Sequence, residues 1–395
     1  MQPPDSPPHF PVSMPALRIS LYYTAMFGMV GVYMPFMPVW LKSRGLEPAE
    51  IGILLSCMMW IRVISNPFAT QLADRLGERR RMMLVLAALA TGIAACLSLT
   101  WSFWSILFVA LLYTAVHAPL MPLGDNIALL TARERGLDYG RMRLWGSIAF
   151  IATSFGAGAV LEGRSESLIL WMIVGLLGLT FLSVVGLPDV RPARIGRGRR
   201  PLFLLLRNRL FLLFIAAASL SMASHAVLNG FATIHWRTAG ISDGLIGVLW
   251  AVGVVAEVVL FAFSKRVVPL MGTAGLLTLG AGAGVARWIG TGLTTDLWLL
   301  LPLQALHGLT FGATHLGAMS FIQQVIPPEL SATAQGLYAS IGMGLVVGLA
   351  MMASGWLYDA LAGGAFLVMT AFSVASLAVC AALARQLKEG AAIAA

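Results

Sequence analysis

The chain contains twelve apolar stretches, each long enough to cross the roughly 30 Å hydrocarbon core of a bilayer as a helix, which takes about 20 residues. They fall at approximately 17–41, 49–73, 82–100, 103–131, 142–162, 168–187, 209–235, 244–264, 268–292, 297–325, 332–358 and 363–384. None shows the every-second-residue alternation of a transmembrane barrel strand. The expected fold class is therefore all-α integral membrane, with twelve transmembrane helices. Hydrophobic residues make up 58% of the 395 positions and charged residues 11%, against about 25% charged in a soluble domain. A soluble fold could not bury that much apolar surface.

Lysine and arginine then set an orientation. The N-terminal tail, the even-numbered loops and the C-terminal end hold 20 of them, whereas the odd-numbered loops hold 4: Lys42, Arg44, Arg164 and Arg237. Cytoplasmic loops carry the Lys/Arg excess, so both termini are expected inside, with the chain in the cytoplasmic (inner) membrane. The net charge of +9 is accounted for as a topology signal, and no nucleic-acid partner is expected. The opening MQPPDSPPHFPVSMP lacks a basic start followed by an apolar core and reads as a disordered cytoplasmic tail, 1–16, rather than a secretory signal.

The longest basic loop, LPDVRPARIGRGRRPLFLLLRNR, follows the sixth span. It divides the chain into a six-helix bundle at 17–187, a cytoplasmic linker at 188–208, a second bundle at 209–387 and a short tail at 388–395. Six plus six is the arrangement of a duplicated transporter, whose site lies near the midplane between the halves. Cys57, Cys96 and Cys380 sit within apolar runs, so neither a disulfide framework nor a metal-ligand spacing can be drawn. No metal is expected. A membrane-embedded enzyme would need catalytic carboxylates, Ser with His or closely set metal ligands, and no such grouping is present.

Function is sought among the ionisable groups inside the spans. Asp125, in VHAPLMPLGDNIALL, needs a partner, a proton or a water-filled cavity, because a carboxylate at the bilayer centre costs at least about 2.5 to 3.5 kcal/mol. Glu257, in LWAVGVVAEVVLF, has no cation within one turn of its own span. Arg62, in WIRVISNP, is mid-span and is a candidate to meet a substrate carboxylate or Asp125. His307 and His315 lie two turns apart in one span, and Arg287 lies in the span before it.

The loop after the second span, NPFATQLADRLGERRR, resembles the G-x-L-A-D-R-x-G-R-R signature of the major facilitator superfamily, through Asp74, Arg75, Gly77 and Arg79 together with Leu72, Ala73 and Arg80. Thr70 replaces the usual glycine and Glu78 interrupts the basic run. The resemblance implies the major facilitator fold, two pseudo-symmetric six-helix bundles working by alternating access, with Asp74 in a gating clasp to nearby arginines. The segment ERGLDYGRMRLWGSIAF is similar to the lactose permease family. That similarity implies a substrate site in which Asp125 and Arg143 meet across two helices, with Phe150 as the stacking aromatic.

The same family has an arginine and a histidine of its proton site at the spacing of Arg287 and His307, but Thr310 stands where its acid is expected. Glu257 is the substitute, with Arg287, His307 and His315 completing the proton-coupling group. The stretches YGRMRLWGS, AVGVVAEVVLF and LHGLTFGATHLGAM resemble the phenylpropionate permease branch. The expectation is a monomeric, proton-coupled symporter in the lipid bilayer that imports a small-molecule substrate, an aromatic acid, using the proton gradient and no cofactor. Import of a nucleoside or sugar is the alternative. Drug efflux fits less well, since SIAFIATSFGAGAVLEG lacks the glycine-proline motif of the antiporters.

Overall fold

The computed structural model describes residues 13–189 and 202–389. Twelve helices are long and apolar enough to cross a membrane, and they follow the apolar stretches. In chain order they are α1 Met14–Ser43, α2 Pro48–Leu76, α3 Arg79–Leu99, α4 Phe103–Arg135, α5 Tyr139–Leu161 and α6 Ser167–Val185. The last six are α7 Arg209–Thr238, α8 Asp243–Ala262, α9 Ser264–Leu293, α10 Leu297–Val325, α11 Thr333–Leu361 and α12 Gly364–Lys388. Among the described residues there is no strand.

Polar caps fix the helix ends. Ser13 Oγ accepts from the Ala16 amide at 3.4 Å, and Pro15 occupies the first turn. Helix α1 therefore begins inside the segment 1–16 expected to be a disordered tail, a correction that follows from a cap and an N-terminal proline acting together. Asp138 starts α5 by accepting from the Arg141 amide at 3.1 Å, and Asn208 starts α7 by accepting from the amides of Leu210 and Phe211 at 2.9 and 3.1 Å. Part of the expected linker, 188–208, is a short helix, Leu202–Arg207; its arginine-rich stretch from 190 to 201 lies outside the described residues.

Four of the spans are irregular near their middles. Helix α4 is interrupted at Ala118 and Pro119, and α7 at Ser224 and His225. Helix α10 widens into a π-helical turn at Gly308–Ala313, and α11 does so at Tyr338–Val346. Such turns concentrate at functional sites, and mid-membrane breaks of this kind are tolerated where neighbouring groups take up the freed backbone. Asp125, His225 and His307 each sit at or close to one of these irregularities.

The first six helices meet the last six along two main seams, α5 against α8 and α2 against α11, with a smaller contact of α1 on α7. Both seams depend on glycine. A Cβ at Gly52 would come within 2.9 Å of Gly355 Cα, and one at Gly247 would strike the Ser154 carbonyl. Only hydrogen side chains permit backbones so close. These approaches lie toward the ends of the helices opposite the arginine-rich loops. At that same end Arg237 Nε and Nη2 donate to Asp243 at 2.5 and 2.6 Å, while Nη1 reaches Glu166 of the first half at 3.2 Å.

Candidate functional site

In the last six helices, Arg287, His307, Thr310, His225 and Gln304 form one hydrogen-bonded group at mid-membrane, with Glu257 beside it. Arg287 of α9 is 1% exposed. Its Nη1 donates to Thr310 Oγ1 at 2.9 Å, its Nη2 donates to Gln304 Oε1 at 2.8 Å, and Nη1 also lies 3.2 Å from His307 Nδ1. A guanidinium can only donate, so His307 accepts at Nδ1 and carries its proton on Nε2. That nitrogen lies 3.6 Å from Glu257 Oε2. At the other end His225 Nδ1 faces the Ser221 carbonyl at 3.1 Å and must donate, leaving Nε2 to accept from the Thr310 hydroxyl at 3.0 Å. Donation therefore runs outward from Arg287 both ways, through His307 toward Glu257 and through Thr310 and His225 to the Ser221 carbonyl.

Glycine brings the helices within reach of each other here as well. A Cβ at Gly253 would meet His307 Cβ at 3.2 Å, and one at Gly308 would meet the Ala256 carbonyl at 2.7 Å. Helices α8 and α10 are thereby close enough to set Glu257 beside His307. His315 extends the group through an aromatic ladder. Phe311 is stacked on His307 at 5.3 Å and on His315 at 6.0 Å.

The structure thus brings Glu257, Arg287, His307 and His315 together. Gln304, Thr310 and His225 join them without having been read as site residues. Gln304 lies one turn before His307, which was a usable signal. Thr310 had been noted only as the residue in place of an acid, yet its hydroxyl serves both Arg287 and His225. Among the described residues Arg287 has no carboxylate within ion-pair distance, so its charge is held by neutral acceptors alone.

In the first six helices Asp125 accepts from Tyr23 Oη at 2.6 Å and from Tyr139 Oη at 3.2 Å. It forms no ion pair with Arg143, which corrects the expected meeting of the two. The guanidinium of Arg143 instead lies over Phe27, with Cζ 3.8 Å from the ring centre, and 5.3 Å from that of Tyr23. Two phenols satisfy the carboxylate, and the arginine gains a cation–π contact. Gly146 makes the stack possible, since a Cβ there would come within 2.8 Å of Phe27 and 3.0 Å of the guanidinium. Phe150 is 5% exposed, and the ring found against Arg143 is Phe27. Tyr23, Phe27 and Tyr139 complete this cluster.

The two clusters face each other. Along the α5–α8 seam Gly158 is beside Asp243 and Ser154 beside Gly247, and continuing that antiparallel register brings Arg143 level with Glu257. Arg62 is exposed on α2, one turn after Met58, whose Sδ lies 3.6 Å from Tyr33 Oη.

Of the signature motif, Arg75 is exposed and Gly77 takes a left-handed conformation at φ 69° that closes α2. Arg79 is 6% exposed and donates to Asn126 Oδ1 at 2.6 Å, one residue after Asp125. The Asp74 side chain lies outside the described residues. Among the described residues no group of His, Cys, Asp and Glu is arranged to hold a metal ion.

Two pseudo-equivalent sets of six helices, with polar clusters buried where they meet, define a secondary transporter. The chain belongs to the major facilitator superfamily: the MFS_1 like family matches residues 16–375. It is 32% identical over 363 residues to the probable 3-phenylpropionic acid transporter of Escherichia coli (strain K12), covering 89% of this chain and 93% of that one. It is 24% identical to the maltose permease of Geobacillus stearothermophilus, covering 86% of each chain. The crystal structure of the nucleoside transporter NupG superposes with a TM-score of 0.82 at 16% identity, over 94% of this chain and 99% of that one. The protein is a multi-pass membrane transporter, and its relatives are permeases rather than enzymes.

Proposed function

We propose that the protein is a proton-coupled symporter that imports a small organic acid carrying an aromatic ring. In this reading the arginine-rich loops and both termini face the cytoplasm, the halves 17–187 and 209–387 rock about the central site, and the monomer needs no cofactor. The arrangement with the seams closed at the opposite end is then the inward-facing state.

The observation that carries the reading is the position of Glu257. It is the one acid in the middle of the last six spans, it lies beside His307, and it sits level with Arg143 across the seam. A carboxylate there, its side chain 20% exposed, can exchange a proton with water entering between the halves, and its charge bears on how strongly the two halves attract. With Glu257 ionised, Arg143 has a counter-charge on the other half. With Glu257 protonated, Arg143 is released to balance an entering anion. Proton and acid would therefore travel together, because each neutralises what the other leaves exposed in a site where uncompensated charge is costly.

Support for the substrate class comes from the surplus of cations at mid-membrane and from the aromatic wall beside them. The similarity to the probable 3-phenylpropionic acid transporter points the same way. The test is uptake of labelled 3-phenylpropionate into proteoliposomes. Accumulation above the outside concentration when the exterior is acidified, abolished by a protonophore, is the expected result.

A second reading, import of a neutral nucleoside or sugar, is favoured by Asp125 with its two phenols, a group suited to substrate hydroxyls. Uptake of uridine or maltose in the same vesicles, with none of 3-phenylpropionate, would replace the first reading by the second.

A further inference from the structure

Arg62 lies outside both clusters, and it differs from the other mid-membrane arginines. Arg287 is buried and hydrogen-bonded on both terminal nitrogens. Arg143 is stacked on Phe27 with Glu257 across the seam. Arg62 is exposed, and among the described residues it has no hydrogen bond and no ion pair. The face of α2 that carries Trp60 and Val63 is turned to α11, where Trp60 Nε1 donates to the Leu345 carbonyl at 3.4 Å and a Cβ at Gly344 would strike Val63. Arg62 lies off that face, one turn after Met58, whose Sδ lies 3.6 Å from Tyr33 Oη of α1, and α2 also packs against the half of α4 that carries Tyr113 and His117.

Those three residues form a wall of their own. Tyr113 and His117 are stacked with ring centres 5.1 Å apart at 16°, and Tyr33 is 6.5 Å from Tyr113. Their polar atoms are poorly provided for. Among the described residues Tyr33 Oη reaches only Met58 Sδ at 3.6 Å, and Tyr113 Oη only Met29 Sδ at 3.8 Å. Thioether sulfur is a weak acceptor. His117, 8% exposed, has no partner at Nε2. Tyr113 and His117 are buried and Tyr33 is half-buried, and polar groups so placed are ordinarily paired, so a set left open together needs an explanation.

A single ligand explains all four. Arg62 supplies charge and a fork of donors, the two phenols supply O–H donors, and the stacked rings supply a flat apolar surface. What is absent is a compact anionic acceptor, and a carboxylate meets the need, because an arginine fork can hold it through paired charge-assisted hydrogen bonds. The wall ends at His117, beside the break in α4 at Ala118 and Pro119.

We infer that Arg62, Tyr33, Tyr113 and His117 form the carboxylate-binding pole of the transport site. The inference rests on the reading of the substrate as an aromatic acid and assigns the direct hydrogen bonds to its carboxylate to α1, α2 and α4, while Arg143 balances that charge without holding it. Arg143 then belongs to the coupling between halves.

The test compares two ligands, 3-phenylpropionate and its neutral isostere 3-phenylpropanamide, by calorimetric titration of the full-length protein in detergent. The unsubstituted protein is expected to prefer the acid. Arg62→Gln should weaken acid binding about 30-fold, the loss of a pair of charge-assisted hydrogen bonds, and amide binding by a smaller factor, so that the preference for the acid is lost; an unchanged thermal unfolding midpoint reports an intact fold. Tyr33→Phe and Tyr113→Phe, which keep the rings, should each weaken the acid about fivefold, one hydrogen bond's worth. If Arg62→Gln keeps the preference for the acid and Arg143→Gln loses it, the carboxylate pole is elsewhere and the inference is overturned. If the unsubstituted protein shows no preference for the acid, the aromatic-acid reading fails and takes this inference with it.

Discussion

Glu257 Oε2 lies 3.6 Å from His307 Nε2, and His307 Nδ1 lies 3.2 Å from the guanidinium of Arg287. One imidazole therefore stands between a carboxylate and an arginine that has no acid of its own among the described residues. The arginine's donor commits Nδ1 to accept, which fixes the His307 proton on the side of the carboxylate. Any change in the charge of Glu257 is felt first by that imidazole and through it by Arg287, Thr310 and His225.

Thr310→Val should destabilise the protein without removing any charge. Its hydroxyl accepts from Arg287 at 2.9 Å and donates to His225 at 3.0 Å, so the substitution leaves two buried groups short of a partner at a cost of about 1 to 3 kcal/mol each. Thermal unfolding in detergent should show a clear fall in midpoint that Thr310→Ser largely restores. An unchanged midpoint for the valine variant would mean that the chain of hydrogen bonds contributes little to stability.

Exchanging Asp125 and Arg143 should not restore transport. Asp125 is held by Tyr23 and Tyr139, and Arg143 lies on Phe27, so each residue depends on its own surroundings rather than on the other. Uptake by the double exchange Asp125→Arg with Arg143→Asp is expected to stay at background. Tyr23→Phe, which removes the 2.6 Å hydrogen bond, should lower uptake severalfold while leaving the protein folded. Recovery of uptake by the exchange would instead point to an ion pair that forms during the cycle.

The seam at the end away from the arginine-rich loops should open when glycine is replaced. Gly247→Val drives a side chain into the Ser154 carbonyl, and overpacking of this kind typically costs about 1 to 3 kcal/mol, which separation of the halves relieves. Arg237→Ala should act in the same direction more weakly, because its partner Glu166 has a side chain 41% exposed and such pairs contribute about 0.2 to 1 kcal/mol. In a cysteine-free background, Val39→Cys beside Arg237 should react faster with a membrane-impermeant maleimide in both variants. Equal rates in the variants and the parent would contradict the assignment of this seam as a gate.

Much of the architecture was legible because lipid leaves a chain few options. Every backbone group must be satisfied within its own segment, so each apolar stretch becomes a helix. The partner of Asp125 was not legible, because Tyr23 lies 102 residues away and two phenols satisfy a carboxylate as well as one guanidinium does. The stack of Arg143 on Phe27 depends on Gly146, whose role shows only once α1 and α5 are packed. Glu257, Arg287 and His307 could be grouped from the sequence through spacing and resemblance. Thr310 could not be given a role, since a hydroxyl in place of an acid reads as a loss until its two partners are seen. Helix α1 started early because Ser13 and Pro15 form a local signal that span-counting by hydropathy ignores.

Orientation is checked by fusions. Reporters placed near residues 197 and 240 should lie on opposite sides of the membrane, with 197 in the cytoplasm, as the 20 to 4 division of Lys and Arg requires. Both on one side would break the alternation of the twelve helices.

The central claim is that Glu257 carries the coupled proton, and Glu257→Gln tests it most directly. The amide mimics the protonated acid in shape and charge and cannot cycle. In proteoliposomes loaded with 3-phenylpropionate, the variant is expected to exchange labelled for unlabelled substrate at a rate near that of the parent. With an acidified exterior and no internal substrate, it is expected to equilibrate but not to accumulate. Uphill accumulation by Glu257→Gln that collapses on adding a protonophore would contradict the account and move the proton to another group in the site.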